Sequence, residues 1–253
     1  MRTYGLFIIG DEILRGKRQD KHLTKFIEIL AARGLHLSWA EYLPDERPRL
    51  IATFRRTLAS GDVVFSCGGI GVTPDDHTRQ AAAAAAGVPL ILNPEAEREI
   101  RARMAEIGEP VTPARLELGT VPAGSRIIPN PFNRIPGFSF RDHHFLPGFP
   151  QMAWPMAEWV LDTHYADDFR QGEEAEAAIL VWDGLEGRML ELMRKTEADF
   201  PGVTVFSLPS LGSETMRRHV ELGVRGEPAM VAQAIEALKA GVSALGYAFD
   251  PKT

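Results

Sequence analysis

Short apolar runs rich in β-branched and aromatic residues alternate with longer stretches whose apolar positions recur at helical spacing. Residues 3–9 form the first run, and Gly10-Asp11-Glu12 breaks it. Over residues 20–33, Leu23, Phe26, Ile27, Leu30 and Ala31 fall on one helical face, with Gly34 as a C-cap. Residues 35–43 read as a second strand ended by Pro44-Asp45-Glu46. Residues 47–59 read as a second helix through Leu50, Ile51, Phe54 and Leu58. A third strand over 62–67 precedes a helix over 76–86. A strand over 88–92 and a helix over 94–107 follow. This β-α-β-α-β-α order predicts an α/β fold with a doubly wound, mostly parallel sheet between two helical layers.

The second half reads differently. Residues 108–136 are rich in proline and glycine and predict loops with one or two short strands. Residues 138–140 and 143–146 predict a hairpin, Pro147-Gly148-Phe149-Pro150 a rigid turn, and 151–164 a helix. The polar segment 165–174 marks a boundary, dividing the chain into domains over 1–167 and 168–253. Strand 178–182, helix 186–199, strands 203–208 and 217–223 and helix 228–240 predict a small α+β domain. It carries no catalytic constellation, so its expected role is structural or oligomer-forming.

Composition bounds the function. The 253 residues are 45% hydrophobic and 25% charged, with a formal net charge of −6, as expected of a soluble globular protein. That charge, without a basic cluster, argues against a nucleic-acid or acidic-membrane partner. The single cysteine, Cys67, ends a buried strand and reads as a small apolar side chain. It allows no intrachain disulfide and points to a reducing, cytoplasmic setting. No apolar segment reaches the length of a membrane span. The seven histidines show no metal-ligand spacing, and His143-His144 point to opposite sides of a strand.

The chemistry concentrates in residues 62–79, DVVFSCGGIGVTPDDHTR. A buried strand, then Gly68, Gly69 and Gly71, then a helix start is the arrangement that binds phosphate at the edge of open α/β sheets. Glycines let a phosphate reach backbone N–H groups, and the helix end adds partial positive charge. Asp75 and Asp76 would repel a bare phosphate, so they imply a bridging Mg²⁺ or another divalent cation. Asp76 is the leading candidate ligand, against a simple N-cap. Asp45 follows strand two at the same sheet edge. Asp11 and Glu12 follow strand one and could hold metal-bound water or a substrate hydroxyl. Thr73 and Thr78 could donate hydroxyls to phosphate or cap the helix. Pro147, Gly148 and Pro150 form either a pocket wall or a stiff turn. Walker, G-x-G-x-x-G and G-x-S-x-G patterns are absent.

Four segments carry a family resemblance: Gly10-Asp11-Glu12 with Gly16, then Gly68 through Thr78, then Asn130-Pro131 with Pro136-Gly137, then Pro147-Gly148-Phe149-Pro150. In this order they resemble the molybdopterin-binding fold family of molybdenum cofactor biosynthesis, most of all the N-terminal part of CinA-type (competence/damage-inducible) proteins without their amidase domain. The likeness covers about residues 3–165. It implies a nucleotide or pterin phosphate site, with Asp45 and Asp76 at the positions of the family's functional acidic residues. In the CinA branch it implies phosphoanhydride hydrolysis of ADP-ribose-like nucleotides. In the molybdopterin branch it implies Mg-ATP-dependent adenylylation of the pterin. A non-enzymatic module that binds and hands on a pterin or nucleotide is the further alternative. Related folds form closed oligomers, so a homodimer or trimer is expected. Departures from the family pattern are Val72 and Pro74 for proline and lysine, Lys21-His22 for threonine-asparagine, Asn133 for glycine and Met152 for glutamate.

Overall fold

The computed structural model describes residues 2–169, 174–213 and 216–252. The chain folds into two compact units, residues 1–171 and 172–253. Part of the boundary segment expected over 165–174, residues 170–173, lies outside the described residues.

In the first unit the elements run β1 (Tyr4–Ile9), α1 (Asp11–Leu14), α2 (His22–Ala31), β2 (Trp39–Leu43), α3 (Arg47–Leu58), β3 (Val63–Cys67) and α4 (Thr78–Ala86). Next come β4 (Leu90–Leu92), α5 (Pro94–Glu106), α6 (Pro113–Glu117), β5 (Thr120–Pro122), β6 (Arg126–Ile128), β7 (Gly137–Phe140), β8 (His143–Leu146) and α7 (Pro150–His164). The main sheet has the order β2-β1-β3-β8-β7-β6. Its first four strands are parallel, β7 runs antiparallel to β8, and β6 runs antiparallel to β7.

Side-chain alternation along the central strands builds a core on each face. Tyr4, Leu6 and Ile8 of β1 with Val63, Phe65 and Cys67 of β3 pack on Phe26 and Leu30 of α2 and Met156, Val160 and Leu161 of α7. Phe7, Ile9 and Val64 face the other way, onto Leu50 and Phe54 of α3 and the small Ala81 and Ala82 of α4. The expected α/β class, a three-layer and mostly parallel sheet, is therefore the observed one.

Some elements differ. The strand expected over 88–92 does not join the parallel sheet. Leu90–Leu92 instead pairs antiparallel with β5 in a separate two-stranded sheet. Its Ile91 is exposed, whereas all four residues of β8 are buried. Burial thus favours β8 for the place beside β3. On α2, Ile27 is exposed and Ile29 is buried in its place, because the inward face runs through His22, Phe26, Ile29 and Leu30. Strand two starts only at Trp39. Asp11 and Glu12 do more than break the chain: they open the short helix α1.

The second unit contains β9 (Ala175–Trp182), α8 (Glu186–Asp199), β10 (Thr204–Ser210), β11 (His219–Gly226), α9 (Pro228–Ala244) and β12 (Phe249–Pro251). Its antiparallel sheet has the order β10-β11-β9-β12. The terminal strand β12 has no counterpart among the elements expected from the sequence. Ile179, Val181, Leu222, Leu238 and Val242 lie in the unit's own core. No helix among the described residues is long and apolar enough to cross a membrane.

Candidate functional site

Parallel strands put all their carboxyl ends on one edge, so residues distant in sequence meet there. Gly10 follows β1, Asp45 follows β2, Gly68 follows β3 and Pro147 follows β8. The ladder extends past the strand ends. Gly10 N–H donates to the Leu43 carbonyl (3.1 Å), and Gly68 N–H donates to the Leu146 carbonyl (3.0 Å). A cleft of about 510 Å³ opens above this edge, within the range of small-molecule sites.

The glycine loop forms its floor, with φ of +112° at Gly68 and +67° at Gly69. A Cβ on Gly68 would lie 2.2 Å from the Ile9 carbonyl oxygen. A side chain is therefore excluded by both conformation and space. Beyond Gly68, the N–H groups of Gly69, Ile70, Gly71 and Val72 donate to no protein acceptor among the described residues. A row of uncommitted donors facing a cleft is suited to an anion.

Carboxylates surround this loop. Asp45 and Asp11 are reciprocally tied: Asp11 N–H donates to Asp45 Oδ2 (2.9 Å), and Asp45 N–H donates to Asp11 Oδ1 (3.3 Å). This pair locks the β1 and β2 loops together. Burial raises the Asp45 carboxyl above the usual carboxylate range, aided by the charges of Asp11, Glu12 and Asp75, although the Asp11 N–H opposes it. Asp76 closes a turn. Its Oδ2 accepts from both the N–H (2.9 Å) and the hydroxyl (2.5 Å) of Thr73, and its own N–H donates to the Thr73 carbonyl (2.9 Å). That turn delays helix α4, which begins at Thr78 rather than at Asp76.

Most of the expected site residues meet at the cleft. Gly10, Glu12, Asp45, Gly68, Gly69, Gly71, Thr73, Asp75, Asp76, Pro147 and Gly148 line it. Three do not. Asp11 stands behind Asp45 and pairs with Arg15 at 2.7 Å. Thr78 is fully buried, its hydroxyl on the Gly68 carbonyl (3.0 Å) and its N–H on the Gly69 carbonyl (3.0 Å). It anchors the loop from beneath, facing away from any ligand. Pro150 is the first residue of α7.

Ile70, Leu118, Ile135, Phe149 and Met152 give the cleft an apolar side, and of these Leu118 and Ile135 carry no signal in the sequence. Leu118 and Ile135 come from the loop-rich stretch, where no periodicity marks them. Arg18 also lines the cleft and lies between two helices, where a charged residue is unremarkable. Arg79 supports the loop without lining the cleft. Its buried guanidinium donates to the carbonyls of Gly71, Glu117 and Thr120, and burial lowers its pKa. His22 is buried next to the Pro147 turn. Its ring lies with Nε2 3.2 Å from the Gly148 carbonyl, and burial lowers its pKa.

Among the described residues no three His, Cys, Asp or Glu side chains converge to hold a metal on their own. Asp45 and Asp76 each have one carboxylate oxygen engaged and the other uncommitted among the described residues. This donor set fits Mg²⁺, which is commonly held by one or two carboxylates together with substrate phosphates and water.

Fold and cleft together define an α/β domain with a cleft of small-molecule size at the carboxyl edge of its sheet. The family described as "Probable molybdopterin binding domain" matches residues 5–165, and the chain belongs to it. Among relatives, a CinA-like protein of Sulfurihydrogenibium sp. is 35% identical over 133 residues, which is 53% of this chain and 33% of that one. A protein of Pyrobaculum calidifontis is 27% identical over 213 residues, covering 83% of this chain and 81% of its own. The chain thus spans about a third of that CinA-like relative. The solved structure of "the protein CinA with unknown function" from Thermoplasma acidophilum superposes with a TM-score of 0.57 at 25% identity, over 64% of this chain and 96% of that one.

Proposed function

We propose that the cleft hydrolyses the phosphoanhydride of an ADP-ribose-like nucleotide with a divalent cation, Mg²⁺ first among candidates. The supporting observation is the row of uncommitted N–H donors from Gly69 to Val72 set among Asp45, Asp75 and Asp76. The N–H groups take phosphate oxygens, in the way preorganised donors stabilise developing negative charge. Asp45 and Asp76 would hold the cation, and the cation would supply charge neutralisation of the phosphates. Glu12, which also lines the cleft and lies outside that pair, is a carboxylate that can take a proton from the attacking water. A water oxygen bonds to one phosphorus, the bridging P–O bond breaks, and the water proton passes to the carboxylate. Two phosphomonoesters leave. The apolar side, with Ile70 and Phe149, suits the flat face of a base.

Incubation with ADP-ribose, FAD or ATP and Mg²⁺ or Co²⁺, with products separated chromatographically, tests this. Asp76→Ala and Asp45→Asn are each expected to lower kcat by about 100-fold or more, as for loss of a metal-holding group. Absence of turnover, or unchanged turnover in Asp76→Ala, would sink the proposal.

A second reading, molybdopterin adenylylation or binding alone, is favoured by the family description itself. An apolar wall accepts a pterin as well as a base. Formation of adenylylated molybdopterin from ATP and the pterin, without hydrolysis of ADP-ribose, is the outcome that would favour it.

A further inference from the structure

The cleft is charged against its own proposed ligand. Glu12, Asp45, Asp75 and Asp76 line it, and among the described residues Arg18 is the one cationic side chain that does. The glycine loop adds no charge, since Val72, Thr73 and Pro74 separate Gly71 from Asp75. The nearest arginine after it, Arg79, is buried with its guanidinium on the carbonyls of Gly71, Glu117 and Thr120, so it is committed to the loop's underside. Arg15, three residues before Arg18, is paired with Asp11. Arg18 itself has no ion-pair partner among the described residues. The backbone fixes its place: the N–H groups of Lys17 and Arg18 both donate to the Glu12 carbonyl, at 2.8 and 3.0 Å. The turn after α1 is thereby folded back against the residue that lines the cleft beside it.

We infer that Arg18 binds the diphosphate of the substrate, supplying from the β1 side the positive charge that the glycine loop lacks. The inference rests on the reading of the cleft as a phosphoanhydride site. A guanidinium offers two parallel N–H donors to a phosphate and stays charged at every working pH. A diphosphate lying over Gly69–Val72 meets backbone donors beneath and Arg18 from the neighbouring strand end, while the aspartates take the cation that arrives with it. The site therefore selects cation-loaded diphosphates over free monoanions.

Calorimetry of ADP-ribose with Mg²⁺ on the wild-type chain, Arg18→Ala and Arg18→Lys tests this. Arg18 is exposed, and all three chains are expected to melt at the same temperature without ligand. Arg18→Ala should weaken ADP-ribose binding by about 10- to 100-fold, the usual size of a charge-assisted contact. Arg18→Lys should recover part of that loss, and rising salt should narrow the gap between wild type and Arg18→Ala. Equal affinity in wild type and Arg18→Ala overturns the inference, and so does a lysine variant as weak as the alanine one. A wild-type chain that binds no ADP-ribose removes this inference and the functional reading together. Arg18-dependent binding without hydrolysis removes the hydrolase reading and leaves the inference standing.

Discussion

At the residue scale, the glycine loop is the least substitutable part of the chain. Gly68 combines a φ of +112° with a Cβ position 2.2 Å from a backbone carbonyl that cannot move without shifting β1. Gly68→Ala is therefore expected to destabilise the fold by about 2–4 kcal/mol, from left-handed strain plus overlap. Urea unfolding measures it, and a loss under about 1 kcal/mol would show that the loop relaxes more easily than its packing implies. The three glycines were legible as a tight loop after β3 because glycine's freedom is a local property. The roles of Thr78 and Asp76 were not. Thr78 offered a hydroxyl to either a phosphate or a helix cap, and the fold directs it to the Gly68 carbonyl. Asp76 does serve as a turn-closing acceptor for Thr73, and only its second oxygen is left for a cation.

Among elements, the start of α4 is coupled to the loop above it through Arg79. Its guanidinium joins the carbonyls of Gly71, Glu117 and Thr120, so helix α4, helix α6 and strand β5 share one buried cation. Arg79→Met would leave those carbonyls without their donor, at a cost of about 3 kcal/mol by the usual penalty for unsatisfied buried groups. Two results are expected together: a lower melting temperature and a higher KM, since the loop loses its support. A raised KM without loss of stability would assign Arg79 to the ligand and not to the scaffold. Most elements were legible because strand and helix periodicities are local. Strand β4 was legible as a strand, but its place in a separate sheet was not, because strand pairing rests on contacts distant in sequence.

For the whole molecule, stability should depend on acid in a way set by buried histidines. His144 is enclosed in a network: Tyr165 donates its hydroxyl hydrogen to Asp142 (2.9 Å), so it accepts from His144 Nε2–H (2.8 Å), and the Ser139 hydroxyl donates to Nδ1 (2.8 Å). This satisfies a neutral imidazole, and burial holds its pKa well below the ordinary value. His143, against the Thr57 hydroxyl at 2.8 Å, is pushed down to about 4, again chiefly by burial. The unfolded chain takes up these protons below pH about 6.5 and the folded chain does not, so stability falls as pH drops. For His143 the loss ends near pH 4, where the folded group also titrates, and amounts to about 3 kcal/mol in all. Unfolding free energies measured between about pH 7 and 4 should show this slope, and a flat profile would contradict the burial of both rings. The sequence by itself determined the α/β class, the existence of a second α+β unit and the glycine–aspartate segment that lines the cleft. Each of these follows from local periodicity, backbone freedom or charge. Tertiary structure alone decided which strand lies beside β3, that Asp11 and Asp45 clasp each other, and that Arg18 shares one cleft with four carboxylates. Those outcomes depend on parallel strands bringing their carboxyl ends to a common edge, a proximity in space that no local pattern encodes.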